Sequence, residues 1–207
     1  MSLVGIFRAR DGITALVDSK ASCSFAEGSL EESVTRKAEK LFVFPNGNGV
    51  AVVCGALQVF TKGGGTIFEK SNQIEDLIRD YLNKHAALDS VFFQELLLKM
   101  NTSTLNKEPI YFIVGRKIWA GKYQIEYHKV GYDYYAMKIG NEKDCCFVGG
   151  CELYTEPFKH LDYSNKTDSV AALQKFTAAK LQEMIDFFDQ TLKYNPVGGT
   201  VKSFILK

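Results

Sequence analysis

The arrangement of hydrophobic patterns along the chain constrains its fold more than any other feature. Short apolar runs come in blocks, and the blocks are separated by helical segments. Ser2 to Phe7 and Ile13 to Val17 read as strands flanking Asp11-Gly12, a hairpin turn pair. Lys40 to Phe44 and Val50 to Cys54 form a second pair around Pro45-Asn46-Gly47-Asn48-Gly49, where Pro sets φ and Asn and Gly tolerate positive φ. These runs are nearly continuously apolar, which implies burial on both faces. Ser22 to Ser33 is small, polar and acidic, and reads as a loop. Helical spacing of apolar residues follows over Ile67 to Leu82 and Asp89 to Met100, with Asp89-Ser90 as an N-cap region. Strands return at Ile110 to Val114, Tyr123 to Val130, Tyr134 to Ile139 and Cys146 to Val148. Ser169 to Leu192 is a long amphipathic helix, stopped at Asn195-Pro196, and Val201 to Leu206 is a last strand. Strand blocks between helix blocks imply a layered α+β fold rather than alternating βαβ units. With no repeat, composition shift or linker, residues 1–207 read as a single domain.

Charge and cysteine content narrow the functional classes. Lys and Arg number 25 against 24 Asp and Glu, so the surface is not generally basic and nonspecific nucleic-acid binding is disfavoured. No stretch approaches the ~18 apolar residues of a membrane span, and the start carries Arg8 and Arg10 without a secretory apolar core. Five cysteines, an odd count, then point to reduced thiols and a cytoplasmic protein.

Most candidate constellations have ordinary readings. His85, His128 and His160 are far apart in sequence, and Cys145, Cys146 and Cys151 lack a second ligand pair, so no metal site is expected. Gly63-Gly64-Gly65 lacks the Gly-Lys-Ser/Thr ending of a phosphate loop and reads as a helix entrance. No cofactor is expected. Cys54 beside Gly55 would need a base and an electropositive setting to act as a nucleophile. Tyr123, Tyr127, Tyr132, Tyr134 and Tyr135 have the composition of a stacking platform, but strand aromatics ordinarily pack.

The start of the chain is the informative part. Ser2 follows the initiator Met, and a small second residue permits removal of that Met. A serine with a free α-amine carries nucleophile and base in one residue. Such a centre needs a nearby cation, a carboxylate to orient it and a backbone N–H for the oxyanion. Asp18, Lys37 and Gly55 are residues of the right types at strand ends.

The stretch Gly12-Ile13-Thr14-Ala15-Leu16-Val17-Asp18-Ser19-Lys20-Ala21-Ser22 resembles the signature of proteasome β subunits and of the HslV-type peptidase of the bacterial two-component ATP-dependent protease. Aligned without a gap, the family's N-terminal threonine falls on Ser2 and its buried aspartate on Asp18. Arg36-Lys37-Ala38-Glu39-Lys40-Leu41 resembles the segment bearing the active-site lysine, which points to Lys37. Val52-Val53-Cys54-Gly55-Ala56 resembles the strand and glycine of the oxyanion hole, which points to Gly55. Val148-Gly149-Gly150-Cys151-Glu152-Leu153-Tyr154 is similar to the family's Gly-Ser-Gly turn, and Val197-Gly198-Gly199-Thr200-Val201 to its final turn. The resemblance implies the four-layer αββα sandwich of N-terminal nucleophile hydrolases. It implies peptide or amide hydrolysis by Ser2 after Met1 removal, with Ala21, Thr35 and Val53 in the substrate pocket. It also implies self-association into rings and an ATPase partner. Departures from the pattern are Gly150 in place of the second active-site serine, and Tyr194 and Val197 in place of an aspartate and a serine. They leave a second expectation, a noncatalytic homologue serving as an assembly or binding module.

Overall fold

The first strands form where the sequence is most apolar. In the computed structural model, β1 (Leu3–Ala9) turns through Arg10 and Asp11 into antiparallel β2 (Gly12–Val17), with Ala9 opposite Gly12. Both strands are almost wholly buried, because a layer packs on each side of them. The structure describes residues 2–22, 35–62, 69–119, 121–140, 145–149, 152–163, 168–192, 195 and 197–207. The Gly63-Gly64-Gly65 segment, Gly150, Tyr194, Cys23, Cys151 and nearly all of the loop expected at Ser22 to Ser33 lie outside them.

A short hairpin follows, β3 (Lys20–Ser22) with β4 (Thr35–Lys37). Then come β5 (Leu41–Val43) and β6 (Gly49–Gly55), joined at the expected turn, where Gly47 has φ 68° and Asn46 Oδ1 accepts from Asn48 N. A second hairpin, β7 (Gln58–Lys62) with β8 (Glu69–Gln73), leads into α1 (Ile74–Leu82) and α2 (Ser90–Met100). The helix expected from Ile67 therefore begins only at Ile74. Residues Glu69-Lys70-Ser71-Asn72-Gln73 are all polar, and their strand is held by pairing to β7, which no local periodicity reveals. Asp89 caps α2 as expected, its carboxylate accepting from Val91 N and Phe92 N.

The second half runs β9 (Ile110–Trp119), β10 (Lys122–Val130), β11 (Tyr134–Ile139), β12 (Cys145–Gly149), α3 (Glu152–Lys159), α4 (Val170–Thr191) and β13 (Lys202–Leu206). Helix α3 was not expected, since its eight residues include Pro157.

Two antiparallel sheets make the centre. Their orders are β12-β1-β2-β13 and β11-β10-β9-β6-β5. Val4, Ile6, Ile13, Val17, Val50, Val52, Ile113 and Ile125 fill the space between them. On the outer face of the five-stranded sheet, Ala51, Val53, Phe112 and Val114 pack under α1 and α2 through Ile78, Phe92, Phe93 and Leu96. On the outer face of the four-stranded sheet, Leu3, Phe7 and Leu16 pack under α3 and α4 through Tyr154, Phe158, Leu173, Leu181 and Ile185. The strand alternation sends successive side chains to opposite faces, and this separates the three cores. The result is the layered α+β fold that the element order implied, in the αββα sandwich that the resemblance implied.

One charged cluster lies in the helix-facing layer. Glu126 accepts from Arg116 Nε at 3.3 Å, and His128 Nε2 lies 3.5 Å from its carboxylate. Contact with His128 first, and the charge of Arg116 next, hold the Glu126 carboxyl down at about 2. Its folded value lies below the ordinary 4.5, so its contribution to stability is complete above about pH 4.5 and is lost as pH falls toward 2. Chemical denaturation as a function of pH is expected to show that decline, and Glu126→Gln is expected to flatten it in this window. An unchanged slope in the variant would assign the acid sensitivity to other groups.

Candidate functional site

Asp18 directly follows β2, fully buried, and four groups converge on or beside it. Leu3 N donates to its Oδ1 at 3.0 Å, and Gly198 N donates to its Oδ2 at 3.3 Å. Lys40 Nζ donates to the same Oδ1 at 2.9 Å and also to the backbone oxygen of Lys20. Both side chains of the ion pair are 0% exposed. Burial is the larger influence on each: it pushes the Asp18 carboxyl up and the Lys40 ammonium down, against their mutual attraction. Ser2 is buried and directly precedes the peptide N–H that Asp18 holds.

The surrounding backbone is tied to the same point. Ser19 N and Lys20 N both donate to Gly198 O, at 3.2 and 3.0 Å. Ala38 N donates to Ser19 O, and Val53 N to Lys40 O. Asn195 anchors the final turn from behind: its Oδ1 accepts from the Tyr154 hydroxyl at 2.6 Å and from Val197 N, and its Nδ2 donates to Asp189. Lys20 Nζ donates to Asn195 O at 2.6 Å. Helix α4, the last turn and the strand end at Asp18 are thereby linked.

The lysine that pairs with Asp18 is Lys40, and Lys37 is not brought to it. Lys37 lies in β4 opposite Lys20 and its side chain is exposed. Lys40 follows Ala38, whose N–H anchors the segment to Ser19, and directly precedes β5, which turns it into the interior. The segment Arg36-Lys37-Ala38-Glu39-Lys40 carries two lysines, and the choice between them depends on how the preceding residues cross the structure. A sequence signal for Lys40 did exist, since it is the lysine adjoining an apolar strand. Nothing local marked Asn195, Tyr154 or the Lys20 carbonyl.

Gly55 ends β6 with φ +93°, and a Cβ there would meet the Pro109 carbonyl oxygen at 2.3 Å. Only glycine fits that conformation and that approach. Cys54 beside it is buried between the sheets, and burial pushes its thiol up to about 12. It is not a thiolate at neutral pH, so it lacks the activated state of a nucleophile. Val53 faces the other way, into the core under α1 and α2, so the structure does not bring it to the Asp18 side of the sheet. Ala21 and Thr35 lie in paired β3 and β4, where Ala21 is opposite Arg36 and Thr35 opposite Ser22. Val197 is fully buried in the core under α4, with an apolar side chain where the resemblance has a hydroxyl. No group of three or more His, Cys, Asp or Glu suited to a metal ion occurs among the described residues. No helix among them is long and apolar enough to cross a membrane.

No protein-family model matches this chain, and no curated protein matches it by sequence. Solved structures do match. A Gly-1 mutant of Anbu from Hyphomicrobium sp. strain MC1 aligns with 99% of this chain and 81% of its own length, at a TM-score of 0.55 and 13% identity. The fold is proteasome-like. Anbu from Yersinia bercovieri, described as an ancestral β-subunit, covers 98% of this chain and 81% of its own, at 0.52 and 11%. The helical assembly of the Anbu complex from Pseudomonas aeruginosa covers 98% and 80%, at 0.55 and 14%. The expectation of a proteasome β subunit or HslV-type relative is corrected by these structures. They are Anbu proteins, proteasome-like but a distinct family. The short motifs that carried the resemblance belong to the shared strand ends and turns, and so could not separate one proteasome-like family from another. At 11–14% identity the likeness establishes the fold alone.

Proposed function

We propose that this proteasome-like protein hydrolyses peptide or amide bonds through Ser2 once Met1 is removed. The observation that carries this reading is the buried Lys40–Asp18 pair, bonded to the peptide N–H that follows Ser2. Keeping two charges out of water is unfavourable unless they are paired and hydrogen-bonded. The pair's partners are Leu3 N at the start of β1, next in sequence to Ser2, the Lys20 carbonyl at the start of β3, and Gly198 N in the final turn. In this reading the Ser2 Oγ attacks the scissile carbonyl carbon and its proton passes to the Ser2 α-amine. Lys40, in the role first assigned to Lys37, holds that amine unprotonated at rest, and Asp18 orients Lys40. The Gly55 N–H receives the developing oxyanion. The amine then protonates the departing nitrogen as the C–N bond breaks. Water hydrolyses the resulting ester and regenerates the hydroxyl.

A noncatalytic assembly or binding module is the second reading, favoured by the buried, apolar Val197 in place of a hydroxyl residue. Self-association and an ATPase partner belong to either reading. The first is supported by the helical assembly reported for the Pseudomonas Anbu complex.

A peptide epoxyketone tests the choice, because its ring closes on a free N-terminal amine and the adjacent hydroxyl together. Intact mass is expected to show loss of Met1 and one adduct, which disappears in Ser2→Ala. A chain beginning at Ser2 that stays unlabelled would sink the hydrolase and leave the module.

A further inference from the structure

The face of the five-stranded sheet that carries Cys54 continues outward as a ledge. The pairing register places Cys54 opposite Tyr111, Tyr111 opposite Lys129, and Lys129 opposite Tyr135. Directly paired residues of adjacent strands point to the same face, so these four form one row across β6, β9, β10 and β11. Tyr127 backs the row, with its ring 6.3 Å from Tyr111 and 6.3 Å from Tyr135. The row starts at the candidate site, since a Cβ on Gly55 would stand 3.1 Å from the Tyr111 ring. It opens to solvent as it leaves, from half-buried Tyr111 and Lys129 to Tyr135 at 49% and neighbouring Met137 at 41% exposed.

Charge distinguishes this ledge from an ordinary apolar surface. Lys129 makes no ion pair among the described residues. None of the side chains that β6, β9, β10 and β11 turn to this face is an Asp or Glu. Glu126 is on the opposite face with Arg116, and Lys117 donates to the Lys207 backbone oxygen. Glu108, just before β9, lies close enough to help raise the Tyr111 hydroxyl, after burial and Cys54, but it makes no ion pair with Lys129 among the described residues. A cation between two tyrosines, left without an ion pair there, complements an anionic side chain whose apolar stem lies on the rings.

We infer that Lys129, flanked by Tyr111 and Tyr135 on this ledge, is an acidic-residue subsite, taking an Asp or Glu side chain of an extended peptide substrate. The inference rests on the peptide-hydrolase reading above. Two inter-strand spacings of about 4.8 Å put Lys129 about 10 Å from Cys54. An extended chain covers that distance in about three residues. The acidic residue therefore stands about three positions from the bond at Gly55.

The test uses fluorescein-labelled octapeptides of Ala and Leu carrying a single Glu, Gln or Lys at each position in turn. Binding to Ser2→Ala, which holds peptides without turnover, is followed by anisotropy. One position is expected to favour Glu over Gln by about fivefold, with the preference fading as salt is raised. Lys129→Gln is expected to abolish the preference, and Lys129→Glu to turn it toward Lys at the same position. Equal affinity for the three series, with peptides still bound, overturns the subsite and leaves the hydrolase reading standing. Failure of all peptides to bind, in a protein whose Ser2 form still takes the epoxyketone, overturns the ledge as a peptide site. Absence of both binding and labelling removes the hydrolase reading and the subsite with it.

Discussion

Lys40→Met is expected to destabilise the protein by about 3–5 kcal/mol, because it strands the Asp18 carboxylate in a dry interior. At roughly 2–4 °C per kcal/mol for a chain of this size, the midpoint of thermal unfolding should drop by about 10 °C. Lys37→Met, on an exposed strand residue, is expected to stay within about 0.5 kcal/mol of the parent. The double variant Asp18→Leu/Lys40→Met separates a stranded charge from lost packing. It removes both charges, so it should be less destabilised than Lys40→Met alone. Urea denaturation of the four proteins reads all of this directly. Similar losses in Lys37→Met and Lys40→Met would refute the assignment of Lys40 to the buried pair. On the hydrolase reading, a charge-neutral lysine analogue also serves as a functional probe. Lys40→Met should abolish epoxyketone labelling even in the fraction that remains folded, whereas Lys37→Met should not.

Gly55→Ala has the second largest expected effect. Forcing an L-residue to φ +93° costs about 1–2 kcal/mol, and overpacking a Cβ against the Pro109 carbonyl adds about 1–3 kcal/mol. The clash is with backbone, which has fewer ways to yield than the end of a side chain. Equilibrium unfolding should therefore register about 2–5 kcal/mol in total. Gly121→Ala is the control: φ there is +72°, but nothing lies within 4 Å of the added carbon, so only the conformational part should appear. If Gly55→Ala were no worse than Gly121→Ala, the close approach of β6 to Pro109 would be wrong. On the hydrolase reading the strained turn also aims the Gly55 N–H. Labelling by the epoxyketone should then slow more in Gly55→Ala than its stability loss explains.

Burial divides the rest of the tyrosines that the sequence groups together. Tyr134 stacks near His128 and Phe93 on the helix side, where packing accounts for it. Tyr127 and Tyr135 turn to the other face and form the ledge. A strand alternates its faces by single residues, so neighbouring tyrosines have opposite fates and only the pairing register assigns them.

The layered architecture was legible in the linear pattern. Continuous apolar runs at Leu3–Ala9, Gly12–Val17 and Gly49–Gly55 can only be strands covered on both faces, and the stripe over Val170–Thr191 can only be a helix covering one. The positions of Asp18, directly after β2, and of Gly55, at the end of β6, follow from where the apolar runs stop. Polar β8 and proline-bearing α3 were hidden, since pairing and packing hold them and local preference does not. Adjacency to an apolar strand hinted at Lys40, but its pairing with Asp18, the Asn195 knot and the row from Cys54 to Tyr135 were decided by tertiary structure. Each depends on which strand ends meet across the two sheets. Residues far apart in sequence become partners there through register and layer packing, and no local periodicity carries that information.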